Sequence, residues 1–288
     1  MGATRNFAGR RVALPLFATV MLCLSCTTNP RDAAKSSGSP SEGGKVAMGT
    51  GNPAQGGGAV GGSNATGGNA PAGSAGSGPS LMADGVVGGS YTTEFNLNES
   101  PLSEGGKWKH TGVDWTTITT ADGLAFGTQK GSGAFDDSYA YLAGTFPANQ
   151  SGTATIHLES GIPESYQEVE ILLRWTDSEH YSTGYECNLA YNGQYAEIIK
   201  WPGPVGKQKS DFKFISSGNP VSGGVHDGDT FQCEVVGNVI TSKLNGKVLA
   251  TATDSSIPSG GAPGIGFYAE KAPASRKFSF TKFTGTGL

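Results

Sequence analysis

Glu168 and Glu170 stand two positions apart in a run where apolar and polar side chains alternate. Successive side chains of a strand point to opposite faces, so both carboxylates fall on one face. Hydrolysis of a glycosidic bond needs two carboxyl groups, about 5–5.5 Å apart for retention or roughly 6.5–9.5 Å for inversion. The pair is spaced about right for that, and Glu186 or Glu197 could supply an acid from a neighbouring strand. Glu170 and Glu186 are therefore the catalytic candidates. The same neighbourhood also suits glycan binding. Glu168, Glu170, Arg174, Glu186, Asn188 and Glu197 can exchange hydrogen bonds with sugar hydroxyls, while Tyr195 and Trp201 offer flat faces to apolar C–H patches. A plainer reading is a wet sheet face with scattered ion pairs, since antiparallel sheets commonly expose one side.

The elements that must position these residues are legible nearby. Gly184–Trp201 reads GYECNLAYNGQYAEIIKW, with Asn192-Gly193 at its centre, a strong signal for a two-residue type I′ hairpin turn. That turn pairs Tyr191 with Gln194, Leu189 with Ala196 and Cys187 with Ile198. Tyr185, Cys187, Leu189, Ala196 and Ile198 then form a core face, and Glu186, Asn188, Tyr195, Glu197 and Trp201 the other. The strand Gln167–Thr176 places Val169, Ile171, Leu173 and Trp175 on one face, with Glu168, Glu170 and Arg174 opposite. It joins the hairpin through the short loop Asp177–Thr183, and a one-residue slip would turn every apolar side chain to water. The polar faces therefore coincide.

Other constellations are thinner. His110, His157, His180 and His226 are dispersed, and no Ser-His-Asp or metal-ligand spacing occurs. His180-Tyr181 is the best lyase-type pair. No cofactor is expected. A structural calcium at Asp136 and Asp137, or at Asp227-Gly228-Asp229, is the alternative, although turn chemistry explains these acids more simply. Trp108, Trp115, Phe278, Phe280 and Phe283 read as core. Cys187 and Cys233 both fall on core faces and would close a loop of about 46 residues as a disulfide. A bridge needs Cα atoms within about 7 Å, which suits neighbouring strands but not facing sheets about 10 Å apart.

Residues 1–25 read as an export signal: Arg5, Arg10 and Arg11, then the apolar run Val12–Leu24, then Ser25. The apolar run is shorter than the roughly 20 residues a bilayer span requires. Residues 26–90 read as Cys26 followed by a linker. Its stretch 34–90 holds 18 Gly and no aromatic residue, so it cannot bury enough apolar surface to offset ordering entropy. Residues 91–288 suit one domain. They carry 21 acidic and 14 basic residues, which disfavours nucleic acid as a partner.

The domain alternates strand and turn with no helical period, which predicts an all-β, two-sheet antiparallel jelly-roll sandwich. The run GDTFQCEVVGNVITSKLNGKVLATATD (Gly228–Asp254), then GGAPGIGFY (Gly260–Tyr268), resembles the C-terminal half of concanavalin A-like (laminin-G-like) jelly-roll domains. LAFGTQ (Leu124–Gln129) and GYECNLAY (Gly184–Tyr191) extend the resemblance over about 91–288. It implies a concave groove where the polar face lies, on a fold that hosts lectins, glycoside hydrolases, lyases and adhesion modules alike. Laminarinase-like hydrolases of this fold carry Glu-x-Asp-x-x-Glu or a variant one residue longer. Here Leu172, Leu173 and Arg174 follow Glu168-x-Glu170, so the third carboxylate is missing. Ser25-Cys26 resembles the lipobox of bacterial lipoproteins, and Thr27 after it resembles outer-membrane sorting. The expectation is a lipidated protein, tethered to the outer membrane or cell surface of a bacterium, whose domain binds a polysaccharide or other glycan. The alternatives are a polysaccharide hydrolase or lyase using the same groove, and a structural adhesion module.

Overall fold

A computed structural model describes residues 86–87, 89–131, 137–163, 166–205, 212–218 and 220–288. The expected export signal, Cys26, the linker up to residue 85 and Asp136 lie outside the described residues. The first strands are β1 (Val86–Val87), β2 (Ser90–Thr93), β3 (Trp108–Lys109), β4 (Ile118–Ala121), β5 (Leu124–Gly127) and β6 (Asp137–Leu142). There follow β7 (Gly144–Thr145), β8 (Gln150–Leu158), β9 (Tyr166–Ser178), β10 (Tyr181–Ala190), β11 (Ala196–Pro204) and β12 (Lys213–Ser217). The last are β13 (Thr230–Val236), β14 (Val239–Leu244), β15 (Lys247–Thr253), β16 (Ala262–Glu270) and β17 (Phe278–Gly287). Among the described residues the first strand is β1, which pairs parallel with β7.

Two antiparallel sheets form the expected two-sheet sandwich. One has seven strands in the order β12-β11-β10-β9-β16-β6-β3. The other runs β15-β14-β13-β8-β17-β5-β4, with β2 also pairing β17. Among the described residues there is no helix.

Alternation explains the core. Ile171, Leu173, Cys187, Leu189 and Ile198 of the seven-stranded sheet meet Ile156, Phe231, Val235, Phe280 and Phe283 of the other. In β17 the register against β8 shifts between Phe280 and Lys282, so Phe283 as well as Phe278 and Phe280 turns inward. Trp108 lies in this core, its ring 5.4 Å from that of Phe283.

Cys187 and Cys233 form a disulfide, but between the facing sheets and not between neighbouring strands as expected. Their Cα atoms are 6.0 Å apart. The local composition explains the close approach. Cys233 pairs with Gly152 in β8, and Cys187 with Ile171 in β9. A Cβ on Gly152 would fall 2.5 Å from Ile171 Cγ2, so this glycine lets the two sheets come together at the bridge.

Candidate functional site

The outer face of the seven-stranded sheet collects most of the expected site. The β9–β10 register sets Asn188 opposite Glu170 and Ala190 opposite Glu168, and the β10–β11 register sets Asn188 opposite Glu197. Oxygens of Glu168, Glu170 and Glu186 lie within 4.8 Å of one another. Glycine makes room for this cluster: Gly266 of β16 pairs with Glu170, and a Cβ there would collide with the Glu170 carboxylate. Glu186 Oε2 accepts from Trp201 Nε1 at 2.6 Å, and Asn188 Nδ2 donates to Glu186 Oε1 at 3.4 Å. Tyr195 donates its hydroxyl to Glu168 Oε1 at 2.7 Å, while Asn188 Oδ1 accepts from the Glu197 N–H at 3.0 Å.

This face is not wet. Glu168 and Glu170 are each 2 % exposed and Glu186 is 1 % exposed; Asn188, Glu197 and Trp201 are buried as well. A second apolar cluster covers part of the face, with Leu172, Trp175, Ile199, Trp201 and Phe212 at its centre. The half-buried Trp115 packs onto it, its ring 4.8 Å from that of Trp201. Trp115 therefore belongs to this outer cluster and not to the inter-sheet core.

Arg174 and Trp175 exchange the faces expected of them. The β9–β10 register shifts between Thr183 and Tyr185, and the β9–β16 register between Ala262 and Gly264. At this bulge Arg174 takes a φ of 50°. The extra residue reverses the alternation, sending Trp175 to the outer face and Arg174 away from the glutamates. Two glycines permit the distortion: a Cβ on Gly184 would lie 2.7 Å from Trp175 Cε3, and one on Gly261 would strike the Arg174 carbonyl. The Arg174 guanidinium then donates to three backbone carbonyls, of Ala148 at 2.8 Å, Ile257 at 2.5 Å and Gly237 at 2.7 Å. It pins loops and takes no part in the site.

The hairpin turn also departs from expectation. Leu189 pairs with Ala196 and Cys187 with Ile198, as the alternation required. Tyr191 does not pair with Gln194. Only Gly193 has positive φ, and its N–H donates to Ala190 O at 2.8 Å, so the chain makes a wider loop than a type I′ turn. Tyr191 N–H donates to Gln167 O, and Val221 N–H to Gly193 O. This wider loop frames a pocket of about 410 Å³ with Tyr166, Tyr191, Tyr195, Asn192, Gln194 and Lys271 in its lining. Lys271 Nζ lies 4.3 Å from the centre of the Tyr166 ring. Tyr195 and Glu168 join this pocket to the buried carboxylates. Sequence reasoning named Tyr195 and missed the rest of the pocket, because Tyr166 reaches it from the start of β9 and Lys271 from the residue after β16.

At the far end of the sheet, Asp177 gathers donors. Its Oδ1 accepts from Tyr141 and Thr111 hydroxyls at 2.6 and 2.5 Å, and its Oδ2 from the Tyr139 hydroxyl at 2.6 Å. Burial opposes ionisation of Asp177, but these hydrogen bonds outweigh it and hold the carboxyl below its usual range. Burial, with Asp177 as neighbour, pushes both tyrosine hydroxyls well above theirs. His180 and Tyr181 do not act as a pair: His180 Nδ1 contacts Asp114 Oδ2 at 2.9 Å, and the Tyr181 ring lies where a Cβ on Gly203 would fall. Asp229 serves a turn, accepting from the His226 N–H, whereas Asp227 accepts from the Leu158 N–H at the end of β8. Asp137 is buried in β6. Among the described residues, the group spaced to share a divalent cation is Glu168, Glu170 and Glu186. Calcium takes about 6–8 oxygens, and these three would supply only part of its shell.

No protein-family model matches the sequence, and no curated protein matches it. Among solved structures, the sandwich is similar to the carbohydrate-binding module CBM66 from Bacillus subtilis, at 14 % identity and a TM-score of 0.41, over 60 % of this chain and 98 % of that one. It is similar to a Bacillus licheniformis beta-glucanase at 12 % identity and a TM-score of 0.46, over 70 % and 99 % of the two chains. It is also similar to the kappa-carrageenase from Pseudoalteromonas carrageenovora, solved with an oligotetrasaccharide of kappa-carrageenan. There the identity is 11 % and the TM-score 0.44, over 67 % of this chain and 92 % of that one.

Proposed function

We propose that the domain binds carbohydrate in the pocket at the loop end of the β10–β11 hairpin. The observation that carries this is the lining itself, three tyrosines with the exposed amides of Asn192 and Gln194 around about 410 Å³. That volume is in the range of small-molecule sites. Tyrosine offers a flat apolar body for the C–H face of a sugar and a polar tip for its hydroxyls. The bond from Tyr195 to Glu168 holds one of these rings in place, so less order is lost on binding. The amino-terminal sequence supports export, lipidation at Cys26 and display at a bacterial surface. Labelling with a fatty-acid probe that persists in Cys26→Ser would overturn that part of the reading.

The test is a glycan array read with wild type, Tyr195→Ala and Gln194→Ala. Both variants should fold and lose at least about tenfold in affinity, roughly one lost polar contact. Retention of full affinity by both would remove the pocket from the function.

The carboxylate cluster favours a second reading, hydrolysis. Oxygens within 4.8 Å approach the separation used for retention. Their burial argues against it, because a glycosidic oxygen must reach the acid. Reducing-sugar release that disappears in Glu170→Gln and Glu186→Gln, with binding intact, would decide for the enzyme.

A further inference from the structure

A second cavity of about 440 Å³ lies across the hairpin loop from the tyrosine pocket. Tyr191 and Asn192 line both, so the two cavities share a wall one or two residues thick. The second is lined by segments the first does not use, among them Glu159, Ser160, Ile162 and Asp227. Glu159 and Asp227 have 54 % and 63 % exposed side chains. They are held by one residue: His157 Nε2 lies 3.0 Å from Glu159 Oε1, and its Nδ1 lies 3.2 Å from Asp227 Oδ1. Lys277 Nζ donates to Ser160 O at 3.0 Å beside this cavity.

The geometry points to a continuous, two-part cleft for a neutral oligosaccharide, one end on the tyrosines and the other between Glu159 and Asp227, crossing the loop at Asn192. This rests on the carbohydrate reading and adds the class of ligand to it. The length follows from the shared wall, since each cavity holds a short saccharide and a chain passing over Asn192 fills both. The neutrality follows from the charges. A sulfated or uronic chain would lay its anions against Glu159 and Asp227, and a polycation would meet Lys271 and Lys277. An uncharged, hydroxyl-rich chain finds acceptors in the two carboxylates, and donors and acceptors in the amides of Asn192 and Gln194.

The experiment is calorimetric titration of the full chain with β-1,3-glucan, mixed-linkage β-glucan and xylan oligosaccharides, from disaccharide to hexasaccharide. Sulfated galactan and oligogalacturonate ladders of the same lengths run alongside. The variants are Glu159→Lys and Ser160→Trp, both at exposed positions, with Tyr195→Ala as the control for the first pocket. The proposal expects affinity for one neutral series to rise about tenfold or more with length. Glu159→Lys and Ser160→Trp should return the long chains to the affinity of the short ones, whose binding they leave unchanged. Binding that is independent of length, insensitive to both variants and lost in Tyr195→Ala overturns the extended cleft and leaves the carbohydrate reading standing. Preference for the sulfated or uronic ladder overturns the neutral class. No binding to any ladder or array glycan overturns both readings together.

Discussion

Replacing Trp201 with alanine tests whether the outer face of the seven-stranded sheet is interior or surface. As a residue on a polar face of the sequence, Trp201 reads as a stacking platform whose loss costs about 0.5 kcal/mol or less in stability. The structure reverses this. The Trp201 ring is enclosed by Trp115, Phe212 and Trp175 at centroid distances of 4.8, 5.2 and 6.3 Å. A buried aromatic of this kind hides about 150–250 Å², worth at most about 4–6 kcal/mol at roughly 25 cal/mol per Å². Truncations of core tryptophan cost about 3–5 kcal/mol in practice. Alanine also takes the 2.6 Å donor from Glu186, a group that is 1 % exposed and has Asn188 as a weaker neighbour at 3.4 Å. Loss of that donor adds about 1 kcal/mol or more. Trp201→Ala should therefore cost about 4–6 kcal/mol, a large share of the roughly 5–15 kcal/mol that holds a domain together. Trp201→Phe, which keeps a buried aromatic ring but removes the N–H and part of the ring area, should cost less, about 1–3 kcal/mol. Urea unfolding followed by far-ultraviolet circular dichroism measures both, read from the midpoint at constant slope. A cost below about 1 kcal/mol for alanine would show an open ring and refute the burial argument.

Three further outcomes follow from the geometry. Peptide mapping without reductant should find the Cys187 and Cys233 peptides joined, and Cys187→Ser should lower stability by about 3–4 kcal/mol for a loop of this length. Arg174→Lys should cost about 2–3 kcal/mol, because an ammonium cannot serve three separated carbonyls, and should leave glycan affinity unchanged. Acid should weaken the fold through Asp177 and Asp254. Burial of Asp254 opposes ionisation, but Lys200 at 2.6 Å, Ser256 and Tyr185 outweigh it and hold its carboxyl below the usual range. A depressed folded value stabilises above the unfolded value of about 3.9, and the gain disappears as pH falls below it toward the folded one. Asp254→Asn should flatten the loss of urea midpoint between about pH 5 and pH 2, and an unchanged pH profile would discount the pair.

The hairpin register was legible because five alternating apolar residues admit one pairing, and Leu189 opposite Ala196 is that pairing. The turn between them was not. Asn192-Gly193 has the local chemistry of a tight turn, yet bonds from Tyr191 to Gln167 and from Val221 to Gly193 hold a wider loop, and both come from other parts of the chain. The bulge at Arg174 was hidden for a similar reason. Its φ of 50° is unusual for arginine, and what permits it, Gly184 and Gly261, sits on other elements. What packs on the outer face also comes from distant residues: Trp115 and Phe212, which cluster there with Trp175 and Trp201, lie far from β9 in sequence. Which face a residue occupies follows from the strand itself; whether that face meets water depends on what folds over it.

That distinction relocates the chemistry. A sheet buried on both sides gives its carboxylates little access to a substrate, however well they are spaced. Glu186 is engaged by Trp201 and Asn188, and Glu168 by Tyr195. On the proposed carbohydrate reading, the Tyr195–Glu168 bond is the link that matters, since it ties an open pocket to the buried interior. A ring anchored at its hydroxyl keeps its orientation between binding events, and recognition by a preorganised surface loses less entropy than recognition by a mobile one. The buried acids and the open tyrosines then have different tasks. The acids brace the hairpin end through Tyr195, and the loop that departs from a tight turn opens the pocket to which the proposal assigns the sugar.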